Sequence, residues 1–339
     1  MQAKLPFRKF QGAGNDFVMI DASDLAITKD GMALLSSWQQ KACELAQKLC
    51  NRNKGIGADG LILMLPNELG ENIDSATKTF YKECRASLVG DYPQISNCDI
   101  SWIYTNSDGS PAQTCGNGLR CLARFAHDKK ILERNQFKVA TACGPVQIWM
   151  NTGKNSNQVK VDMGSPELVA SKIPVNIKSL SSSEPVIKAK VNDIELTCVS
   201  MGNPHCVNFD SSIWSESDSK RKFLQIAENL QKSPEFPQSV NVEFIRTIDK
   251  NTLECYVVER GCGPTLACAS GAAACVVAAV LEQRMEKDNL IDVIMPGGTL
   301  SVEWSSKTNS VQITGDASFV YSGMIEFELE GVRVEVSCS

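Results

Sequence analysis

The sequence predicts an α+β fold in which curved or barrel-like mixed sheets enclose a few helices. Three observations predict it: short apolar, β-rich runs recur along the chain, helical patterning is sparse, and the two halves resemble each other. The 339 residues exceed the usual size of one small domain, so we expect two domains with separate cores.

The predicted strands are runs of apolar and β-branched residues bounded by Gly, Asn, Asp or Pro. In chain order they are FVMID, GLILML, ISWIYT, FKVAT, VQIWM, VKVDM, ELTCVSM, VNVEFI, LECYVVE, IDVIMP, LSVEW, VQIT and MIEFEL. Helical patterning is clearest at residues 34–50, 116–132, 219–231 and 271–286. The most apolar stretch, residues 272–281, is too short to span a bilayer, so it predicts a buried helix and we expect no membrane segment.

The two halves form a degenerate repeat. Each contains, in the same order, a Gly-Asn pair, a polar residue nine positions before a cysteine, that cysteine, and a glycine three positions after it. These positions are Gly14-Asn15, Asn106, Cys115 and Gly118 in the first half, and Gly202-Asn203, Glu259, Cys268 and Gly271 in the second.

Spacing within the repeat locates an insertion. Asn15 lies 100 positions before Cys115, whereas Asn203 lies 65 positions before Cys268, a difference of 35. The excess falls on residues 66–99, which match no strand-turn pattern. We interpret this segment as a surface excursion, and the alternative is a lid or partner surface, because long loops often carry function.

We divide the chain into a first half, residues 1–158, which carries Cys115, and a second half, residues 159–316, which carries Cys268. The C-terminal segment, residues 317–339, is predicted to return to the first half as a strand.

The net charge of the chain limits the class of partner that we expect, and the N-terminal segment limits the cellular compartment. The formal net charge of −5 argues against nucleic acid and anionic membranes, so the expected partner is a small molecule. The N-terminus has no apolar core and no cleavage site of a secretory signal, which predicts a cytoplasmic protein. A plastid stroma is the alternative, if a transit peptide has been removed.

Fourteen cysteines admit three interpretations: buried structural thiols, a metal site and catalytic thiols. No C-x-x-C occurs, and the close pairs lie outside zinc-ligand spacing, so we expect no metal. Most of the cysteines are predicted to pack as small core residues. Composition alone would assign Cys115 and Cys268 to the same class, but their matched context in the repeat favours a catalytic role.

Each of these two cysteines is predicted to sit at the start of a helix. There the helix dipole lowers the pKa of a thiol below its usual value of about 8.5, and the unpaired backbone N–H groups bind a carboxylate. Two such thiols on opposite faces of one α-carbon would be the two bases of an epimerase or racemase. We find no dinucleotide fingerprint and no lysine in a context that indicates pyridoxal phosphate, so no cofactor is expected.

Several longer strings, all in one order, resemble the diaminopimelate epimerase family. They are FQGAGNDFVMID, LCNRNKGIGADGLILM, TNSDGSPAQTCGNGLRC, SMGNPHCVNF, VNVEFI, ERGCGPTLACASGAAA and PGGTLSVEW. The resemblance covers nearly the whole chain apart from the insertion. It implies two pseudo-symmetric domains, each a barrel-like sheet around a central helix, with the active site between them. It also implies a cofactor-independent isomerase of lysine and peptidoglycan precursor biosynthesis that interconverts LL- and meso-diaminopimelate, with Cys115 and Cys268 as its acid–base pair.

The resemblance implies a role for the other matched positions. Those that would hold the distal amino acid of the substrate are Asn15, Asn106, Asn203, Asn241 and Arg260. Those that would bind the reacting carboxylate are Gly116, Asn117, Ala269 and Ser270, and those that would tune the thiols or orient the reacting ammonium are His205 and Glu259. Each has a structural alternative: an Asn can cap its own turn, His205 can be a satisfied core histidine, and Glu259-Arg260 can be an exposed pair.

Three further residues bear on fit and assembly. Ala269 stands where the family usually has glycine, and it adds a methyl group beside the carboxylate-binding N–H groups. Cys262 places a third thiol close in sequence to Cys268, where a disulfide would form if geometry permits. Tyr321 matches a tyrosine of the family's dimer interface, so the resemblance implies a homodimer.

Two other functions remain open from the sequence. One is a pyridoxal-phosphate-independent racemase that uses the same thiol pair on a different or broader set of amino acids, which the distal polar residues disfavour. The other is a catalytically silent relative that binds an amino acid or a partner protein, with residues 66–99 as its interaction surface. Retention of both thiols argues against the second.

Overall fold

The computed structural model describes residues 2–112, 114–150, 157–215, 218–328 and 331–338, and the side chains of residues 4–326 within those ranges. It divides into two compact units. The first is Met1–Val161 with Asp316–Ser339, and the second is Asp162–Gly315.

Strands dominate both units. In chain order they are β1 Gln2–Gly12, β2 Asn15–Asp21, β3 Gly60–Pro66, β4 Ile100–Asn106, β5 Gln136–Thr141, β6 Gly144–Met150, β7 Gln158–Asp162, β8 Ala189–Val191, β9 Ile194–Ser200, β10 Pro204–Asn208, β11 Asn241–Asp249, β12 Thr252–Glu259, β13 Gly263–Pro264, β14 Ile291–Met295, β15 Gly298–Trp304, β16 Val311–Asp316, β17 Ser318–Glu328 and β18 Gly331–Cys338. The α-helices are α1 Ala22–Ala26, α2 Lys29–Ser36, α3 Trp38–Leu49, α4 Ser75–Val89, α5 Gly116–Asp128, α6 Ser219–Gln231 and α7 Ala269–Leu281.

The two units repeat one mixed-sheet pattern. In the first unit, strands β1 to β7 pair in sequence order as antiparallel, parallel, antiparallel, parallel, antiparallel and antiparallel neighbours. In the second unit, β9, β10, β11, β12, β14, β15 and β16 pair with the same alternation. The degenerate repeat in the sequence is therefore a repeat of structure.

One helix in each unit lies against the inner face of the sheet. Helix α5 follows β4 and packs on β1, β2, β3 and β6, and α7 follows β12 and packs on β9, β10, β11 and β15. Helix α5 begins at residue 116 as predicted, and α7 begins at residue 269, two positions before the predicted 271. Their predicted ends, residues 132 and 286, are wrong, because Lys130 and Gln283 adopt positive φ just after α5 and α7 and stop them.

Strand β3 is buried along its whole length because it is covered on both faces. Leu61, Leu63 and Leu65 point into an outer cluster formed with helices α1 to α4, while the alternate side chains, including Ile62, point towards α5. The single helix predicted over residues 34–50 is two helices, because the chain turns at Ser37 between α2 and α3.

The insertion is more than the surface excursion that we expected. Residues 75–89 form helix α4, whose N-cap Asp74 accepts from the backbone N–H of Thr77. Tyr81 is buried in the outer cluster of the first unit, and its hydroxyl donates to the carbonyl of Pro66 at 2.6 Å. The segment differs from the expectation because one face of α4 is buried. The helix was missed because a search for strands and turns does not detect helical spacing.

In the second unit, the outer face of the sheet packs on helix α6. Phe223 on this helix stacks on Phe244 of β11 with ring centroids 4.4 Å apart. Along β11 the side chains alternate, so Val242 and Phe244 belong to this outer cluster and Glu243 points to the opposite, inner face.

The C-terminal segment joins the first unit. Strand β17 pairs antiparallel with β1 over most of its length. Its C-terminal half also pairs antiparallel with β18. Residues 329, 330 and 339 of the predicted C-terminal strand lie outside the described residues. Within the described part of the chain, no helix combines the length and the apolarity needed to cross a bilayer.

Candidate active site

Asn15 is placed by a tight hairpin between β1 and β2. Gly12 pairs with Asn15, and the two residues between them, Ala13 and Gly14, both have positive φ, at 53° and 86°. These are the conformations of a type I′ turn, whose twist matches that of the flanking strands. The turn brings Asn15 to the first position of β2.

The Asn15 side chain connects this turn to helix α5. Its Nδ2 donates to Asp59 Oδ2 at 3.0 Å, and its Oδ1 accepts from Asn117 Nδ2. Asp59 is in turn ion-paired with Arg52 at 2.7 Å. Asn117 is 1% exposed and occupies the first turn of α5, so Asn15 lies beside the helix start that Cys115 caps.

Cys115 is the N-cap of α5. Its backbone is extended, with φ −145° and ψ 110°, and its Sγ accepts from the backbone N–H of Gly118 at 3.3 Å. Gly116 and Asn117 are the first helical residues, whose N–H groups have no carbonyl partner within the helix. A partly exposed thiol and backbone donors for an anion thus share one helix start.

Asn106 and Tyr321 also lie in the first unit. Asn106 ends β4, and its Nδ2 donates to Ser110 Oγ at 3.0 Å, which closes its own turn. Tyr321, on β17, packs edge-on against Phe7 and donates its hydroxyl hydrogen to the carbonyl of Ile56 at 3.2 Å.

Cys268 is the N-cap of α7, at the position equivalent to Cys115. Its φ and ψ are −128° and 114°, and its Sγ accepts from the N–H of Gly271 at 3.4 Å. Ser270 Oγ lies 3.4 Å from the same sulfur. Ala269 is the first residue of the helix and is buried, so the methyl group that distinguishes it from glycine is accommodated.

The expectation that the helix start lowers the pKa is wrong for Cys268. Burial raises the pKa of this thiol well above its usual value, and the carboxylates of Glu259 and Glu243 raise it further, against weaker opposing hydrogen bonds from Ser270 and Gly271. Burial also raises the pKa of Glu259, whose carboxylate accepts from Thr265 Oγ1 and hydrogen-bonds to Cys268. Cys268 therefore favours its protonated form.

His205 is fully buried and is held on both sides. Its Nδ1 lies 2.7 Å from Glu243 Oε1, and its Nε2 lies 3.0 Å from Asn203 Oδ1. Asn203 directly precedes β10 as Asn15 begins β2, and each uses its Oδ1 for a buried side chain, His205 for Asn203 and Asn117 for Asn15. Electrostatic interaction with the imidazole of His205 lowers the pKa of the Glu259 carboxyl, against the larger effect of burial.

Asn241 and Arg260 are joined through the backbone. Asn241 Oδ1 accepts from the N–H of Arg260 at 2.8 Å, and its Nδ2 donates to the carbonyl of Pro204 at 3.1 Å. The Arg260 guanidinium is exposed and donates to the carbonyl of Gln238 at 2.8 Å. Glu259 and Arg260 therefore bind different partners, Thr265 and the carbonyl of Gln238.

The sequence analysis missed two buried charges, Glu243 and Arg120. Glu243 is 0% exposed beneath α7, and Arg120 is 0% exposed in α5. Both lie inside strings that carry the family resemblance, VNVEFI and CGNGLRC. Glu243 could have been found, because a charged residue within an otherwise apolar strand is a signal of a functional side chain. For Arg120, nothing in a single sequence distinguishes a buried arginine from an exposed one.

Metal ligands do not converge in the part of the chain that the structure describes, where no three His, Cys, Asp or Glu side chains are grouped to hold an ion. What the two helix starts offer instead is a sulfur that can exchange a proton and backbone N–H groups that can bind a carboxylate.

A family model decides the relationship. The model described as diaminopimelate epimerase matches residues 7–169 and 197–320, which include both N-cap cysteines. The chain belongs to the diaminopimelate epimerase family. Within the family, a diaminopimelate epimerase from Desulfitobacterium hafniense (strain DSM 10664 / DCB-2) is 38% identical over 322 residues, which span 94% of this chain and 96% of the relative. The chloroplastic diaminopimelate epimerase of Oryza sativa subsp. japonica is 36% identical over 327 residues, 94% of this chain and 79% of that protein.

Solved structures show the fold. A probable proline racemase from Agrobacterium radiobacter K84 superposes with a TM-score of 0.61 at 13% identity, over 96% of this chain and 93% of that chain. A hydroxyproline epimerase from Agrobacterium vitis gives the same TM-score and identity over 97% and 96%. These matches confirm the predicted class, an α+β fold of two pseudo-symmetric halves of the diaminopimelate epimerase type.

Proposed function

We propose that this member of the diaminopimelate epimerase family interconverts LL- and meso-diaminopimelate without a cofactor, with Cys115 and Cys268 as its proton-transfer groups. The observation that carries the proposal is the pair of N-cap cysteines at equivalent positions of the two units. Relatives named diaminopimelate epimerase, 35–38% identical over nearly the whole chain, support the choice of substrate.

The proposed reaction needs one base and one acid at the same α-carbon. One sulfur, as thiolate, removes the α-proton, and the other, as thiol, returns a proton from the opposite side, so that the centre inverts. Charge that develops on the adjacent carboxylate is stabilised by the unpaired N–H groups of Gly116 and Asn117 or of Ala269 and Ser270. The reverse reaction exchanges the roles of the two sulfurs.

We assign the distal amino acid of the substrate to Asn15, Asn106, Asn203, Asn241 and Arg260. Arg260 offers a guanidinium that can grip a carboxylate with two hydrogen bonds, and Asn side chains can accept from an ammonium. Asn15 and Asn241 are already fixed by hydrogen bonds to Asp59 and to the Arg260 backbone, which supports a preorganised site. A substrate without a second amino acid would leave these groups unpaired.

The product would feed lysine and peptidoglycan precursor synthesis, and we place the reaction in a reducing compartment, the cytoplasm or the plastid stroma. The physical reason is that thiols transfer protons only while reduced. The chloroplastic rice relative supports a plastid as one such compartment. Mild oxidation is expected to abolish activity, and a thiol reductant is expected to restore it.

We propose that two copies of the chain assemble through strand β17, which carries Tyr321. Its neighbours Phe319 and Val320 are 50% and 47% exposed, and adjacent exposed apolar side chains suit an interface between copies. Light scattering should show a dimer for the wild-type protein and a monomer for Val320→Lys. A wild-type monomer would contradict this assembly.

Deuterium exchange tests the function. The reduced protein is incubated in D₂O with LL-diaminopimelate and, separately, with L-proline, L-histidine and L-lysine. We expect deuterium at one α-carbon of meso-diaminopimelate and none in the other amino acids. Exchange with the others but not with diaminopimelate would favour a racemase of different specificity, and no exchange with any substrate would contradict an enzymatic role.

A further inference from the structure

The two units place different chemistry at equivalent positions around their N-cap cysteines. Strand register and the distance from each cysteine define the equivalence, because β2 and β3 pair as β10 and β11 do, and helix positions are counted from the caps. The equivalent residues, first unit and then second, are Phe17 and His205, Ile62 and Glu243, Asn106 and Glu259, and Arg120 and Ala273.

Close contacts beneath the first helical turn confirm one of these pairs. A Cβ added at Gly118 would lie 3.2 Å from Ile62 Cδ1, and a Cβ added at Gly271 would lie 2.8 Å from Glu243 Oε1. Ile62 and Glu243 therefore occupy the same place, directly under the turn that the cysteine caps. An aliphatic side chain in the first unit is replaced by a carboxylate in the second.

Cys268 faces a negatively charged cluster. Glu243 on β11 and Glu259 on β12 both act on its sulfur, and His205 on β10 is ion-paired with Glu243. Each carboxylate of this cluster that ionises adds a negative charge beside the sulfur, and the one imidazole can offset at most one such charge. His205 binds Glu243 Oε1, but Glu243 Oε2 has no hydrogen-bond partner among the described residues.

In the first unit, the helix that Cys115 caps carries a buried cation instead. Arg120 is fully buried in α5, where its Nε donates to the carbonyl of Asp316 at 3.4 Å. Its Nη1 and Nη2 have no hydrogen-bond partner in the described part of the chain. Burial lowers the pKa of Arg120, while negative charge on Cys121, on Cys115 and on Asp316 opposes that change.

The Asp16 carboxylate near this helix is already paired with two cations. Asp16, on β2, acts on Cys121, but its carboxylate is ion-paired with Lys9 at 2.8 Å and with Arg52 at 2.8 Å. Burying a guanidinium is costly, and nearby negative charge offsets part of that cost. The Asp316 carboxylate supplies some of that charge, whereas burial raises the pKa of Cys121 and so favours its neutral thiol. A thiolate at Cys115 would supply further negative charge.

We propose that the free protein carries its catalytic negative charge on Cys115 and its catalytic proton on Cys268, and that Arg120 and Glu243 are the positioning residues that impose this order. The inference deepens the proposed function and rests on it, since it assumes that both thiols take part in proton transfer. The free protein would then be poised to remove a proton with Cys115 and to return one with Cys268.

Site-resolved alkylation tests the order without any substrate. The protein is treated with iodoacetamide across a pH series, and peptide mass spectrometry follows the rate at each cysteine, normalised to its own plateau so that access does not set the midpoint. In the wild-type protein, the alkylation midpoint of Cys115 should lie below that of Cys268. Equal midpoints, or the reverse order, would overturn the proposal even if no variant folds.

Two variants should move one midpoint each. Arg120→Met should raise the Cys115 midpoint by about 1 pH unit and leave Cys268 unchanged, and Arg120→Lys, which keeps the charge, should restore it. Glu243→Gln should lower only the Cys268 midpoint. A folded Arg120→Met protein with an unshifted Cys115 would contradict the role of Arg120. The alkylation experiment uses no diaminopimelate, so its result does not depend on epimerase activity. A protein without that activity in which Cys115 still has the lower midpoint would refute only the proposed function.

Discussion

At Cys268, two opposing effects act on one sulfur. A helix N-terminus stabilises an adjacent anion by about 0.3–1 kcal/mol at exposed sites and up to about 2 kcal/mol at partly buried sites. Desolvation of a buried ionisable group can move its pKa by about 3–5 units, equivalent to several kcal/mol. Burial and the carboxylates of Glu259 and Glu243 therefore outweigh the dipole, and this thiol is better suited to donate a proton than to accept one.

The raised pKa of Glu259 predicts a pH-dependent cost in stability. Because burial raises this pKa, the folded protein holds the proton more tightly than the unfolded chain, and stability falls as pH rises from the unfolded value towards the folded one. Glu259→Gln removes this titration, so the stability of the variant relative to wild type should rise with pH above 4.5, the ordinary glutamate pKa. Urea unfolding at several pH values measures the difference, and a constant difference would contradict the prediction.

Arg260 is predicted to recognise the far end of the substrate. Arg260→Met should lower kcat/KM for diaminopimelate about 100-fold, mostly through KM, because hydrogen bonds to a charged group would be lost. Arg246→Met is a matched control, since Arg246 is an exposed arginine of the same unit that pairs with Glu254. Steady-state kinetics on both variants decides, and an unchanged KM for Arg260→Met would contradict the assignment.

At the scale of elements, the first turns of α5 and α7 differ in what lies beneath them. Gly271→Ala places a Cβ 2.8 Å from a buried carboxylate oxygen, whereas Gly118→Ala places one 3.2 Å from the terminal methyl of Ile62 and from the ring of Trp102. We expect Gly271→Ala to destabilise the protein by about 1–3 kcal/mol, net of the gain in helix propensity. Gly118→Ala should cost less, because an isoleucine methyl can shift.

Urea denaturation of both glycine variants measures the two free energies of unfolding. A larger loss for Gly118→Ala than for Gly271→Ala would show that Glu243 does not press on the turn as the structure has it. Epimerisation rates of the folded Gly271→Ala protein should fall as well, because the added methyl also approaches the Cβ of Cys268 at 3.2 Å.

The elements that the sequence predicted are those with a strong local signal. Apolar runs such as GLILML and FKVAT are strands β3 and β5, and the cysteines that cap α5 and α7 lie where the glycines and the helical runs placed them. Strands β1, β8, β10 and β13 were not predicted, because their residues are mixed in polarity or few. The one strand predicted over residues 317–339 is two strands, β17 and β18. Helix α4 was missed inside the insertion, although Asp74 and the spacing of its apolar residues were available signals.

The parts of the candidate site that depend on residue type and on order in the sequence could be predicted. The parts that depend on burial in the folded protein could not. The cysteine pair, Asn15, Asn106 and Asn203 follow from the repeat, and Asn117 and Asn241 follow from the family resemblance. The raised pKa of Cys268 could not be predicted, because it comes first from burial and then from carboxylates on two other strands. Arg120 could not be recognised either, since only the folded sheet removes it from water.

For the whole molecule, the structure repeats one sheet pattern twice but varies the charges inside it. The first unit has Ile62 and Arg120 where the second has Glu243 and Ala273. Equal backbones with unequal charges would make one thiol a better base and the other a better acid, while the repeated helix starts keep both able to bind a carboxylate. Such a division suits a reaction that needs one thiolate and one thiol at once.

The claim that both units supply one sulfur to a single reaction is tested most directly by removing each sulfur alone. Cys115→Ala and Cys268→Ala should each lower the rate of LL- to meso-diaminopimelate conversion by about 100- to 10 000-fold, because a proton must be removed and another returned. Cys43→Ala, which removes an exposed thiol of α3, is the control and should retain activity. Epimerisation at the wild-type rate by either Cys115→Ala or Cys268→Ala would contradict the two-thiol account.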